Sequence, residues 1–134
     1  MQLDRSAIMR AIKGKDTGPE RLVRKLLSAS GYRYRLHSKT LPGSPDIVFP
    51  GRKKAIFVHG CFWHGHPCKR GARVPKTNVA YWRCKIERNQ LRDKRNIKKL
   101  RGAGWKVKVI WECQLNRPNL LKSLCRFVGP VHLR

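Results

Sequence analysis

Residues 45–59 read Pro45-Asp46-Ile47-Val48-Phe49-Pro50-Gly51-Arg52-Lys53-Lys54-Ala55-Ile56-Phe57-Val58-His59. Asp46 to Phe49 is a short strand that opens on an acid, Pro50-Gly51 turns the chain, and Lys54 to His59 is a buried strand. A hairpin of this kind carries Asp46 and the 57–59 segment to the same sheet end. Upstream, Leu41-Pro-Gly-Ser-Pro45 is a turn cluster, and Tyr32-Arg-Tyr-Arg-Leu36 alternates as an edge strand does. A helix over 16–30 comes before it, capped by Thr17, with Glu20 three residues on as in a capping box. Leu22, Val23, Leu26 and Leu27 form its apolar face, and Gly31 ends it. Downstream, residues 60–77 are irregular and rich in Gly, His, Cys and Pro. A long helix runs from near Asn78 to just before Gly102, with Val79, Trp82, Ile86, Ile97 and Leu100 on one stripe that also passes through Asp93. Lys106 to Trp111 is a further strand, and Pro118 to about Phe127 a closing helix; Trp105 and Trp111 are assigned to the core. This order predicts an α/β fold with a mixed central sheet flanked by helices, residues 1–134 forming one domain.

The chain has 134 residues, of which Leu, Ile, Val and Phe make up about a quarter. That excludes the low-hydrophobicity disordered class and provides for a core without staples. Thirty-two Lys and Arg face seven Asp and Glu, a formal net charge of +25 that points to nucleic acid as partner. No apolar run approaches the ~18–20 residues that span a bilayer. Met1-Gln-Leu-Asp-Arg-Ser6 lacks the features of a secretory signal. A cytoplasmic chain is expected, with no membrane partner, and its five cysteines then read as metal ligands or ordinary thiols rather than disulfides.

A site that cleaves phosphodiesters usually needs carboxylates to hold Mg²⁺. The acids are Asp4, Asp16, Glu20, Asp46, Glu87, Asp93 and Glu112. Asp46 either helps to form such a site with the 57–59 segment or caps the turn after Pro45. Asp93 on that stripe either faces a core and needs a donor, a histidine of the irregular segment or an arginine, or stays solvated after a small shift of register. Glu87 lies off the stripe and reads as a surface residue, and the capping box alone would account for Glu20. His59-Gly-Cys-Phe-Trp-His-Gly-His-Pro-Cys68 holds three histidines and two cysteines. Cys61, His66 and Cys68 supply three ligands of the kind Zn²⁺ takes four of in a structural site. Of Cys84, Cys113 and Cys125, the fourth is assigned to Cys113, just past a strand end. Phe62 and Trp63 sit in this loop, too short and polar to bury both, and on so basic a chain they point to stacking on or wedging between bases. Trp82 either joins them or packs in the core.

Leu41-Pro-Gly-Ser-Pro-Asp46, Ile56-Phe-Val-His-Gly-Cys-Phe-Trp-His64 and Ile110-Trp-Glu-Cys113 together resemble the very-short-patch mismatch repair endonucleases, over most of the chain from Met9 to about Cys113. The resemblance implies a restriction-endonuclease-like three-layer fold. It also implies a Mg²⁺-dependent nick in duplex DNA 5′ to the thymine of a T·G mismatch left by 5-methylcytosine deamination. Asp46 and the backbone carbonyl of Val58 would hold Mg²⁺. His64 would activate the attacking water, with His59 and Glu20 completing the site, and Asp93 would orient a catalytic histidine. Cys61, His66, Cys68 and Cys113 match structural zinc ligands, in a stapled loop over 60–77. Phe62, Trp63 and Trp82 match aromatics that wedge beside the mismatch, and an N-terminal helix over 1–15 would contact DNA from the minor groove. A monomer is expected, cooperating with other mismatch-repair proteins. In the wider nuclease superfamily Pro-Asp is followed by Asp/Glu-x-Lys on the next strand; here those positions are Phe57 and His59. A histidine, with a reference pKa of ~6.5, suits proton transfer near neutral pH. Two other readings share the charge and the zinc ligands: a non-catalytic zinc-stapled DNA-binding module, and a related nuclease with broader mismatch tolerance.

Overall fold

The computed structural model describes residues 18–68 and 77–131. The Thr17 cap, the expected helix over 1–15 and residues 69–76 of the loop lie outside them. In chain order the elements are α1 (Gly18–Ala29), β1 (Arg35–Leu36), β2 (Ile47–Phe49), β3 (Lys54–His59), α2 (Val79–Gly102), β4 (Lys106–Trp111) and α3 (Leu120–Val128).

Among the described residues the strands form one four-stranded sheet in the order β1-β2-β3-β4. β1 and β2 pair antiparallel, as do β2 and β3, whereas β3 and β4 run parallel, Lys54 facing Lys106 and His59 facing Trp111. The sheet is therefore mixed, as expected, and α2 lies on the connection that returns the chain from β3 to β4.

Strand alternation sorts the side chains between two faces. Ile47, Phe49, Ile56 and Ile110 join Val23 and Leu27 of α1 and Leu120, Leu124 and Val128 of α3 in one core cluster. On β3 the intervening residues Ala55, Phe57 and His59 are buried on the opposite face, where α2 packs along β4. The sheet lies between helices as a three-layer α/β fold of the restriction-endonuclease-like kind. Burying side chains such as Leu27, Ile56 and Leu124 completely contributes ~1.5–3 kcal/mol each, before the entropy of ordering the chain.

Two cations of the β2–β3 turn act within the fold. The Arg52 guanidinium donates to the carbonyls of Val128 and Pro130 at 2.8 and 2.7 Å, and Lys54 Nζ to those of Phe127 and Val128 at 2.7 and 2.9 Å. They satisfy carbonyls left open at the C-terminus of α3, where positive charge is favoured. Tyr32 Oη adds a bond to the Gly129 carbonyl.

Three expectations need correction. The edge strand over 32–36 shrinks to Arg35–Leu36. Continuing its register beyond Arg35–Val48 would bring it to Phe49 and then to Pro50, which has no N–H and starts a 3-10 turn. Tyr32 and Tyr34 pack edge-on against Phe49 instead, each at 6.3 Å. The last helix begins at Leu120, not Pro118, with Asn119 as its N-cap. Trp105 and Trp111 are only partly buried, and Trp111 belongs to the site described below.

Candidate active site

The hairpin register sets the first part of the site. Ile47 pairs with Ile56, so Asp46 lies one step past the ladder, and its Oδ2 accepts the Val58 N–H at 2.7 Å. Glu20, in the first turn of α1, is turned inward and only 6% exposed. Its carboxylate lies beside Asp46, and together with His37 they bring three ligand atoms within 4.8 Å of one another. His37 Nε2 is 3.5 Å from Glu20 Oε2. Burial pushes the Asp46 carboxyl up to about 7; Glu20 adds to the rise, and the Val58 N–H opposes it.

The second part grows from the end of β3. His59 is 5% exposed and stacks flat on His64, centroids 3.8 Å apart and planes 3° from parallel. His64 Nδ1 lies 2.5 Å from Asp93 Oδ2, across from the middle of α2. Burial, with His64 alongside, pushes the His59 imidazole down to about 3, against a smaller opposing pull from Asp93. His59 is therefore neutral across the physiological range. Its Nδ1 has no hydrogen-bond partner among the described residues.

The third part is the loop after β3. Cys61, His66, Cys68 and Cys113 bring their ligand atoms within 4.8 Å of one another. Cys113 Sγ is 3.5 Å from His66 Nδ1, and the Cys113 N–H donates to Cys61 Sγ at 3.3 Å. Burial pushes the Cys61 thiol up to about 12, helped by the Cys68 and Cys113 sulfurs. Two side chains of α2 hold the loop: Asn89 Nδ2 donates to the Trp63 carbonyl at 2.8 Å, and Gln90 Nε2 to that of Gly65 at 3.2 Å. Gly65 has a φ of +63°, and a Cβ there would meet Gln90 Nε2 at 2.3 Å and Ile86 Cγ2 at 2.7 Å. Only glycine suits both the backbone and the close approach to α2.

Beside this loop stands an aromatic cluster. Phe62, Trp63 and Trp82 make mutual contacts at 5.1, 5.6 and 5.7 Å, and Tyr81 adds an edge contact to Trp82 at 5.2 Å. Lys85 Nζ lies over Trp63, Tyr81 and Trp82 at 5.3–5.8 Å. All three members singled out from the sequence remain partly exposed.

Comparison with known proteins gives the family of the chain. Residues 2–70 match the family model described as DNA mismatch endonuclease Vsr. The type II nicking enzyme V.XorIIP of Xanthomonas oryzae pv. oryzae is 49% identical over 122 residues, which is 91% of this chain and 89% of that protein. V.NmeAIP of Neisseria meningitidis is 46% identical over 91% of this chain and 84% of its own length. The DNA mismatch endonuclease Vsr of Escherichia coli is 43% identical, over 83% of this chain and 70% of that protein. The chain belongs to the DNA mismatch endonuclease Vsr family.

Within this Vsr-family fold, the residues singled out from the sequence fall into three adjoining groups. Asp46, Glu20 and the Val58 backbone form one. His59, His64 and Asp93 form the next, and the Asp93 partner left open between histidine and arginine is His64. Cys61, His66, Cys68 and Cys113 form the third, while Cys84 is exposed on α2 and Cys125 lies in α3. Glu87 is exposed, as expected. Sequence reasoning missed four residues of this Vsr-family site. Trp111, assigned to the core, stacks on His66 at 4.3 Å and meets His59 edge-on at 5.2 Å. Asn89 and Gln90 read as ordinary polar helix residues, although their place two turns from the Trp82 end of α2 was a usable signal. His37 follows directly on β1 and has no local signature.

Proposed function

We propose that this chain nicks duplex DNA 5′ to the thymine of a T·G mismatch left by 5-methylcytosine deamination, and so starts very short patch repair. DNA mismatch endonuclease activity is the property of the Vsr family to which it belongs. The observation that carries the reading is the sheet end where Asp46, bound to the Val58 N–H, adjoins the stacked His59–His64 pair and Asp93.

The donors fit a hard divalent cation. Glu20 and Asp46 bring two carboxylates together in a mostly buried site, an arrangement that a divalent cation would stabilise. Mg²⁺ held by Asp46 and the Val58 carbonyl, with Glu20 close by, would stabilise negative charge developing on the phosphate. The chain's own groups do the rest. Asp93 fixes His64 through Nδ1, which leaves Nε2 to take a proton from the attacking water. His59, kept neutral by burial, supports the His64 ring by stacking. The other cluster fits Zn²⁺: three thiols and an imidazole converge, one sulfur already accepting a backbone N–H. Zn²⁺ there would staple the loop that carries Phe62, Trp63 and His64.

Phe62, Trp63 and Trp82 serve as a wedge that tests how easily a base step opens, which costs less at a mispair. The +25 charge supplies sequence-independent affinity for the duplex phosphates. Residues 1–15 add minor-groove contacts, and the chain acts as a cytoplasmic monomer alongside other mismatch-repair proteins.

The test is a nicking assay on end-labelled duplexes, one with a single T·G mismatch in a methylated-cytosine context and one with its C·G parent, with and without Mg²⁺. A Mg²⁺-dependent nick beside the mismatched thymine alone is the expected result. Cleavage of both duplexes discards the mismatch specificity, and binding without cleavage by the zinc-loaded chain discards the catalytic role of Asp46 and His64.

A further inference from the structure

His37 belongs to no group the sequence marked out, yet its ring lies mostly buried beside Glu20 and Asp46. Its backbone has a φ of 49°, a left-handed conformation uncommon outside glycine. Its N–H donates to the Asp46 carbonyl at 3.1 Å, just beyond the Leu36–Ile47 pair that ends β1. The chain leaves the sheet there with the imidazole turned inward, its side chain 16% exposed against 8% for Glu20. Its Nε2 lies 3.5 Å from Glu20 Oε2, and its donor atom is within 4.8 Å of those of both Glu20 and Asp46. Two donors on one cation with bonds of ~2.1 Å can lie up to ~4.2 Å apart, so a small contraction suffices for all three to share an ion.

The donor types matter. Mg²⁺ is hard, favours oxygen and keeps its waters, whereas imidazole suits first-row transition cations. A nitrogen beside two carboxylates favours a cation that accepts mixed nitrogen and oxygen donors.

We propose that His37 is a nitrogen ligand of the cation centre formed with Glu20 and Asp46, and that it makes this centre select Mn²⁺ over Mg²⁺. The inference rests on the reading that Asp46 holds the divalent cation. His37 then sets metal selectivity, and Asp46 sets whether any metal binds.

Mn²⁺ titration of the full-length, zinc-loaded chain, followed by electron paramagnetic resonance with Mg²⁺ as competitor, separates the two. The chains are wild type, Asp46→Asn, His37→Gln and His37→Asn; asparagine tolerates the left-handed backbone, and retained zinc reports folding. In wild type, bound Mn²⁺ should show ¹⁴N coupling in electron spin-echo modulation. Both His37 variants should lose that coupling and bind Mn²⁺ about tenfold more weakly, with Mg²⁺ affinity changed less than twofold. Mn²⁺ affinity within twofold of wild type, or retained ¹⁴N coupling, overturns the proposal while loss of binding in Asp46→Asn leaves the cation reading intact. Equal weakening toward both metals also overturns it, assigning His37 to positioning Glu20. Unchanged Mn²⁺ binding in Asp46→Asn overturns the underlying reading together with the proposal.

Discussion

Asp46→Asn should stabilise the protein in neutral, Mg²⁺-free buffer while abolishing nicking. Asparagine keeps an oxygen that can accept the Val58 N–H but removes the ionisable group that burial and Glu20 disfavour. The folded carboxyl is raised from 3.8 to about 7, so the folded state holds its proton while the unfolded state releases it. Wild-type stability therefore falls as pH rises between those values and stays reduced above them. At ~1.36 kcal/mol per pKa unit the whole rise corresponds to at most about 4 kcal/mol. Asp46 keeps some contact with solvent, so about 1–2 kcal/mol is expected, or ~4–8 °C in Tm for a chain of this length. The assay is thermal unfolding at pH 8 and pH 4.5. The buffer is stripped of Mg²⁺ but contains no strong chelator, which would also take zinc. The gain should appear at pH 8 and largely vanish at pH 4.5. Millimolar Mg²⁺ should raise the wild-type Tm but not that of the variant, because the ion binds the folded carboxylate. Equal gains at both pH values, or a destabilised variant at pH 8, would refute the argument that burial and Glu20 disfavour the Asp46 charge.

Cys113→Ser should drop zinc content below one equivalent and lower Tm by several degrees, since it leaves three of four converging donors; one tightly held equivalent would show that Cys113 is not the fourth ligand. Gly65→Ala should cost about 2 kcal/mol or more, because φ is +63° and Ile86 Cγ2 would lie 2.7 Å from the new Cβ; an unchanged Tm would mean that the loop shifts freely. Phe62→Ala should reduce mismatch preference, measured as the ratio of T·G to C·G binding at one salt concentration, by more than fivefold, with C·G affinity nearly unchanged; an unchanged ratio removes Phe62 from the wedge.

The parts of the site legible in the sequence were those that follow from strand register. A short hairpin with Asp46 before its first strand and His59 at the end of its second had to place both at one sheet end. The Val58–Asp46 bond is the direct consequence. Cys113 could be separated from Cys84 and Cys125 because a residue just past a strand end returns to the sheet edge, whereas the others are fixed within helices. The helix stripe marked Asp93 as an acid that needed a partner, without saying that His64 would be that partner. What stayed hidden depends on packing between distant segments. Trp111 looked like any aromatic at the end of an apolar strand, and only the loop folding over it makes it a platform for His66. β1 is two residues long, too short for alternation to reveal which way the chain turns at His37. The capping-box pattern gives Glu20 a local explanation, and only the packing of α1 on the sheet end brings its carboxylate beside Asp46 and His37.

The acids and histidines of the site make physical sense together. In a chain with a net charge of +25, the average field favours ionised carboxylates, yet Asp46 is raised. Local burial and the neighbouring Glu20 outweigh the distant cations, whose attraction water and salt screen. The wider superfamily places a lysine beside its metal-binding acids. At the position where the wider superfamily carries that lysine stands His59, which burial holds neutral. It leaves the carboxylates' negative charge available to a cation while still supporting His64. His59 thus adds ring stacking rather than positive charge beside these acids. Among the described cations, Arg52 and Lys54 are spent on capping α3.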